Sequence, residues 1–200
     1  MEKELTAERS IEIIRENLER SRCDAELQIG TPLIVWGSLV AFTAVIVGHL
    51  WEHCGGPVWN FLWFIMTAIG FAINRFIGRK HAIRPVSFVS KVVHWIWLLF
   101  CIIVIITAVL FYIVMLNPDI YRIRYIPLTA IIIILMMLCS SIMGLVVGNK
   151  LIPGMVFGSG ICAVNFCFMW PGSSEMLMLA IVAVVTLVVP GVIINSKAHS

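Results

Sequence analysis

Apolar runs close to the ~20 residues that a helix needs to cross a bilayer core of roughly 30 Å constrain this chain more than any other feature. Six can be marked off by turn or charge signals. The first covers about Pro32 to Leu50 and stops at Cys54, Gly55, Gly56 and Pro57; the second covers about Val58 to Phe76 and closes on "NRFIGRKH". The third, about Val92 to Leu116, ends at Asn117-Pro118-Asp119, which reads as a turn. The fourth, about Ile126 to Gly148, is parted from the fifth, about Leu151 to Trp170, by Asn149 and Lys150 alone, and "PGSS" opens the sixth, about Glu175 to Asn195. Membrane strands would alternate in hydrophobicity over about ten residues, whereas these runs are apolar all round. With 60% hydrophobic residues, 12% charged residues and a mean hydropathy of +1.01, a chain of 200 residues cannot hide this surface in a soluble core.

The expected fold is therefore all-α: a polytopic membrane protein of six transmembrane helices (31–195) behind a cytoplasmic amphipathic helix (1–30), with a short cytoplasmic tail (196–200). Lysine and arginine set the orientation, because cytoplasmic loops retain them. With the N-terminus inside, twelve of the basic residues lie inside (Lys3, Arg9, Arg15, Arg20, Arg22, Arg75, Arg79, Lys80, Arg84, Lys91, Lys150 and Lys197), against Arg122 and Arg124 outside. Both termini are expected in the cytoplasm. About thirty polar residues precede the first apolar run, so no cleavable signal peptide is expected and the first span serves as its own insertion signal.

The stretch "GHLWEHCGGP" holds His49, Glu52 and His53 in the order H-x-x-E-H, one spelling of a zinc-protease helix. Helical spacing puts both histidines on one face, and Glu175 or Asp119 could add a third ligand. Those proteases also need a downstream glutamate in a closed cavity, yet none occurs between Glu52 and Glu175. The stretch therefore reads as an interfacial turn with Trp51 in the aromatic belt, and no metal site is expected; His49, His53 and Glu175 are the residues to check. His94, beside Lys91, Trp95 and Trp97, reads as an interfacial histidine near the opposite surface. No Asp, Glu, Lys or Arg lies in the middle of a span, which disfavours ion-coupled transport. Asn165 is the amide expected to act as glue between helices.

Gly144 and Gly148 form one G-x-x-x-G, and Gly154 and Gly158 another across the two-residue turn, extended by Ser140, Ser141, Ser159 and Gly160. Small residues at that spacing let backbones approach, so these four glycines are expected to pack a tight hairpin. Pro153 and Pro190 either begin or kink their helices, and whether they mark a binding site stays open. Cys23, Cys54, Cys101, Cys139, Cys162 and Cys167 contain no C-x-x-C, so no disulfide is expected. Phosphate loops, nucleophile elbows and lipidation signals are lacking, and no cofactor or nucleic acid is implied.

The N-terminus alone has a soluble character. From Thr6 to about Glu26, Ile11, Ile14 and Leu18 fall on one helical face, and Glu12 with Arg15, Arg15 with Glu19 and Glu16 with Arg20 form helix-spaced pairs. To Glu26 there are five basic residues (Lys3, Arg9, Arg15, Arg20, Arg22) and eight acidic ones, so anionic lipid is not the target. The stripe is suited to cover by the inner loop around Arg79, Lys80 and Arg84 or by a cytoplasmic or membrane protein partner. "SIEIIRENLERSR", followed by Gly30, Pro32 and "VWG", resembles the start of small bacterial integral membrane proteins of uncharacterised function, which carry an amphipathic helix before a Trp-Gly pair. The resemblance covers about the first quarter of the chain; it implies a multi-pass protein of the inner (plasma) membrane and no activity. The expected role is a non-enzymatic membrane partner or sensor subunit. A facilitator or permease for a small uncharged molecule is the alternative, and an outer-face metalloenzyme comes third.

Overall fold

The computed structural model describes residues 7–55, 57–80, 88–116 and 127–198, and no strand occurs among them. The chain runs through α1 (Ala7–Cys54), a 3-10 turn (Pro57–Phe61), α2 (Leu62–Lys80), α3 (Phe88–Leu116), α4 (Leu128–Val146), α5 (Leu151–Met169), α6 (Ser173–Ala183), a π turn (Val184–Val188) and α7 (Val189–Ala198). Among the described residues, five stretches are long and apolar enough to cross a membrane: Ile29–Cys54, Val89–Phe111, Leu128–Val146, Leu151–Met169 and Ser173–Ser196. Six are expected from the amino-acid sequence. The difference is α2, whose last turns carry Asn74, Arg75, Arg79 and Lys80 and dilute its apolar character.

The second departure concerns Pro32. Rather than starting the first span after a separate helix, Pro32 sits inside one unbroken helix of 48 residues. The carbonyl it leaves without an N–H partner belongs to Gln28, one residue outside the apolar stretch that begins at Ile29, where water can serve it. At 1.5 Å per residue α1 is about 72 Å long, so residues 7–28 extend roughly 33 Å beyond the span.

Packing is organised by glycines on α1. A Cβ on Gly37 would lie 2.7 Å from Leu187 Cβ, one on Gly48 3.0 Å from Met176 Cβ, and one on Gly30 2.9 Å from the Gly191 carbonyl. Gly191 answers from α7, where a Cβ would sit 2.7 Å from Ile34 Cγ1. These pairs run in opposite senses along the two helical segments, so α1 lies antiparallel to α6–α7, and backbones meet where no side chain fits. On another face of α1, Gly70 of α2 takes the Trp36 ring, a Cβ there falling 2.6 Å from its edge, and Trp36 meets Phe71 edge-on at 5.5 Å.

The hairpin of α4 and α5 forms as expected, but of the four expected glycines only Gly144 packs in it, joined by Gly160. Gly144 lies against Ile152 (2.8 Å) and Gly160 against Met137 Sδ (2.6 Å), whereas Gly154 and Gly158 are exposed with nothing within 4 Å. The reason is helical phase: at about 100° per residue, Gly158 stands roughly 200° from Gly160. The buried stripe of α5 is Ile152, Val156, Gly160, Ala163 and Cys167. Gly148 is not a packing residue either. It ends α4 in a left-handed conformation (φ 77°), with Gly148 N–H donating to the Leu145 carbonyl and Asn149 N–H to Gly144, the Schellman arrangement. Asn149 Oδ1 then accepts from Leu151 N–H, and Pro153 falls in the first turn of α5, where its missing donor costs nothing.

Pro190 is accommodated differently. Its ring would strike the carbonyl of Thr186 in a regular helix. The chain widens instead into the π turn, in which Val189 N–H donates to Val184 O, five residues back, while Thr186 Oγ1 donates to Val182 O at 2.8 Å.

Leucine at Gly37 or Gly144 should destabilise the detergent-solubilised protein by about 1–3 kcal/mol through overpacking, and leucine at Gly154 should not. Thermal unfolding of the three variants checks this; equal melting temperatures would dissolve the distinction between seam and open face.

Candidate functional site

Three places hold the residues that could carry function: the Cys54 end of α1, the buried core between the helices, and the free length of α1. At the first, His49, Glu52, His53 and Cys54 are all exposed and Trp51 is half-buried. The imidazoles of His49 and His53 lie side by side, centroids 4.3 Å apart and planes 33° from parallel, and His53 Nδ1 is 3.0 Å from the His49 carbonyl. A glycine in a left-handed conformation, Gly55 (φ 102°), lets the chain turn back, and Trp59 Nε1 donates to the Cys54 carbonyl at 3.4 Å.

Glu175 does not join them. It is 5% exposed at the start of α6, where its Oε1 accepts from Gly172 N–H at 3.1 Å while its own N–H donates to the Gly172 carbonyl at 3.1 Å. That reciprocal pair satisfies two of the orphan donors of a helix start and places a carboxylate at its positive end. Among the described residues no three His, Cys, Asp or Glu side chains gather as a metal-ligand set; Asp119 lies outside them. The three-ligand arrangement weighed from the sequence is thus not assembled, because Glu175 is spent as a cap. His94 is exposed on the second turn of α3.

Among the described residues the buried polar side chains are the small hydroxyls of Thr43, Thr129, Ser140, Ser141 and Thr186, together with Asn149 and Glu175 at helix ends. Ser141 and Thr186 donate to carbonyls four residues back in their own helices, and Ser140 Oγ is buried with no partner. Asn165 is exposed on α5 and donates to Ile161 O at 2.9 Å, a bond within its own helix and not between helices. The amide that does bridge helices is Asn195 of α7, whose Nδ2 reaches Thr31 Oγ1 of α1 at 3.4 Å beside Gly30. Its position at the end of the last apolar run disguised it as a boundary residue. A groove of about 380 Å³ between α1 and α6, lined by Ala41, Phe42, Val45, Leu177, Ala180, Ile181 and Val184, is open and wholly apolar, unlike the polar cavity a permease would need.

On the free length of α1, Ile11, Ile14 and Leu18 belong to continuous helix, with Arg9, Glu12 and Ile13 exposed beside them. Arg84, one of the inner-loop residues that could cover the stripe, lies outside the described residues. No protein-family model, curated protein or solved structure matches the chain.

Substituting Glu175 by alanine should lower the melting temperature by the loss of a helix cap, about 1 kcal/mol, whereas alanine at both His49 and His53 should leave it unchanged. Parallel melts of the two variants in one detergent decide this, and a fall in the histidine variant would give that turn a structural role.

Proposed function

We propose that the protein is a non-enzymatic partner or sensor subunit of a membrane assembly, contacting a cytoplasmic or membrane protein through residues 7–26. One observation carries this reading: the charged arm and the glycine-packed span are a single helix. A segment that only guided insertion would need no rigid joint to the bundle. Docking into a groove or pairing with another helix uses a stripe such as Ile11, Ile14 and Leu18 with mixed-sign flanks. The likeness of the opening quarter to small bacterial membrane proteins adds an inner-membrane location to the proposal.

Six crossings belong to the same proposal, and parity supports the sixth. Since α1 runs antiparallel to α6–α7, Ser173 lies at the level of Gly48; the short turns 147–150 and 170–172 then bring Leu128 to the Cys54 side as well. From Cys54 to Leu128 the chain needs an even number of crossings. The stretch Val89–Phe111 supplies one, and α2, held along α1 by Gly70 on Trp36, supplies the other. Gly30 and Asn195 share the opposite side, so both chain ends leave on one side, and the distribution of lysine and arginine argues for the cytoplasm.

The packing described on α1 lies from Ile29 and Gly30 onward. Removing residues 1–26 should therefore leave the bundle folded and abolish copurification with the partner, and charge reversal at Arg15 and Arg20 should weaken association more at low salt than at 0.1 M and above, where screening sets in beyond roughly 10 Å. Pull-downs from native membrane that recover the same proteins with and without the arm would sink the proposal. In intact cells a membrane-impermeant thiol reagent should reach Cys54 and spare Cys23; labelling of Cys23 alone would invert the threading.

A further inference from the structure

We propose that His49 and His53 form an exchangeable two-histidine site for a divalent cation of the imidazole-preferring class: Zn²⁺, Cu²⁺ or Ni²⁺. The geometry bears on this beyond mere spacing. A carbonyl oxygen carries no proton, so the 3.0 Å contact between His53 Nδ1 and the His49 carbonyl requires the proton on Nδ1. In the neutral ring that leaves the lone pair on Nε2, the free nitrogen. A ring N–H given to a backbone carbonyl is the arrangement that metal-ligating histidines use to fix tautomer and ring orientation. His49 stands one turn earlier with its ring alongside, 4.3 Å between centroids. Both rings are exposed, so the His49 side chain can adjust toward the ~2.0–2.1 Å nitrogen distances that zinc requires while His53 keeps its bond to the carbonyl.

The remainder of the coordination shell decides the kind of site. Among the described residues no third His, Cys, Asp or Glu gathers with the pair, and at these exposed rings water is at hand to complete the shell. Binding is then reversible and follows the free metal concentration, unlike a closed structural site that holds its ion through purification. Imidazole suits zinc, copper and nickel, whereas calcium and magnesium seek oxygen. The site is independent of the proposed partner role, since it lies at the opposite end of α1 from residues 7–26.

Equilibrium dialysis of the untagged full chain, stripped with chelator and reconstituted in nanodiscs, tests it with Zn²⁺, Cu²⁺ and Ni²⁺ in turn and Mg²⁺ and Ca²⁺ as controls. One ion per chain is expected for at least one of the first three and none for the controls. His49→Ala and His53→Ala should each weaken binding at least tenfold, and the double variant little further, as two ligands of one ion behave. Replacing His81, His94 and His199 together by alanine should leave affinity and stoichiometry unchanged. Binding that survives in the double variant, or that disappears with the other three histidines, would overturn the assignment, as would a wild-type chain that retains no more of any of these ions than the double variant. Circular dichroism of each variant before metal is added separates loss of the site from loss of the fold.

Discussion

Helices surrounded by hydrocarbon gain nothing from burying apolar surface against each other, because lipid tails are as apolar as leucine. What remains is close contact, and in this protein close contact means the antiparallel seam of α1 against α6–α7. Gly30, Gly37 and Gly48 on one side and Gly191 on the other remove the side chains that would hold the backbones apart. The seam joins the first and last spans, so the segments between them are enclosed by a contact between chain ends more than 150 residues apart. The hairpin of α4 and α5 packs on this frame, while α2 and α3 lie at its edge with most of their large apolar side chains exposed.

The Asn195–Thr31 bridge belongs to the same frame. An amide at the end of an apolar run is cheap to keep, being near water when the helices part. When they meet, Gly30 leaves room for it, and Asn195 Oδ1 is buried without a partner. The π turn does related work seven residues earlier. By absorbing Pro190 without breaking the helix, it lets Gly191 face α1, and Thr186 stays satisfied by its own helix.

Hydropathy made the helical class and most span boundaries legible in the amino-acid sequence, since a twenty-residue apolar run is a local property. Contacts were less legible. The G-x-x-x-G pattern drew attention to Gly154 and Gly158, which face away, because phase relative to a neighbour is not written in spacing alone. The seam glycines are seven and eleven residues apart, two and about three turns, and their partners lie at the far end of the chain. Pro32 looked like a start because proline usually is one; only the helix carried across it shows that the freed carbonyl of Gln28 sits at a polar boundary. At the Cys54 end of α1, the pairing of His49 with His53 was readable from helical period, while the capping duty of Glu175 depends on a backbone conformation at Gly172 (φ 126°) that no short motif announces.

Continuity of α1 has a mechanical consequence. A helix continuous from Ala7 to Cys54, with its apolar stretch over the 26 residues from Ile29 to Cys54, carries an arm of roughly 33 Å beyond that stretch. Spans answer a change in bilayer thickness by tilting. A tilt of ~10° swings the tip of such an arm through about 6 Å, more than the ~5.4 Å pitch of one helical turn. In a bilayer whose thickness set the tilt of α1, the arm would convert thickness into sideways displacement of its tip, at an amplification set by arm length.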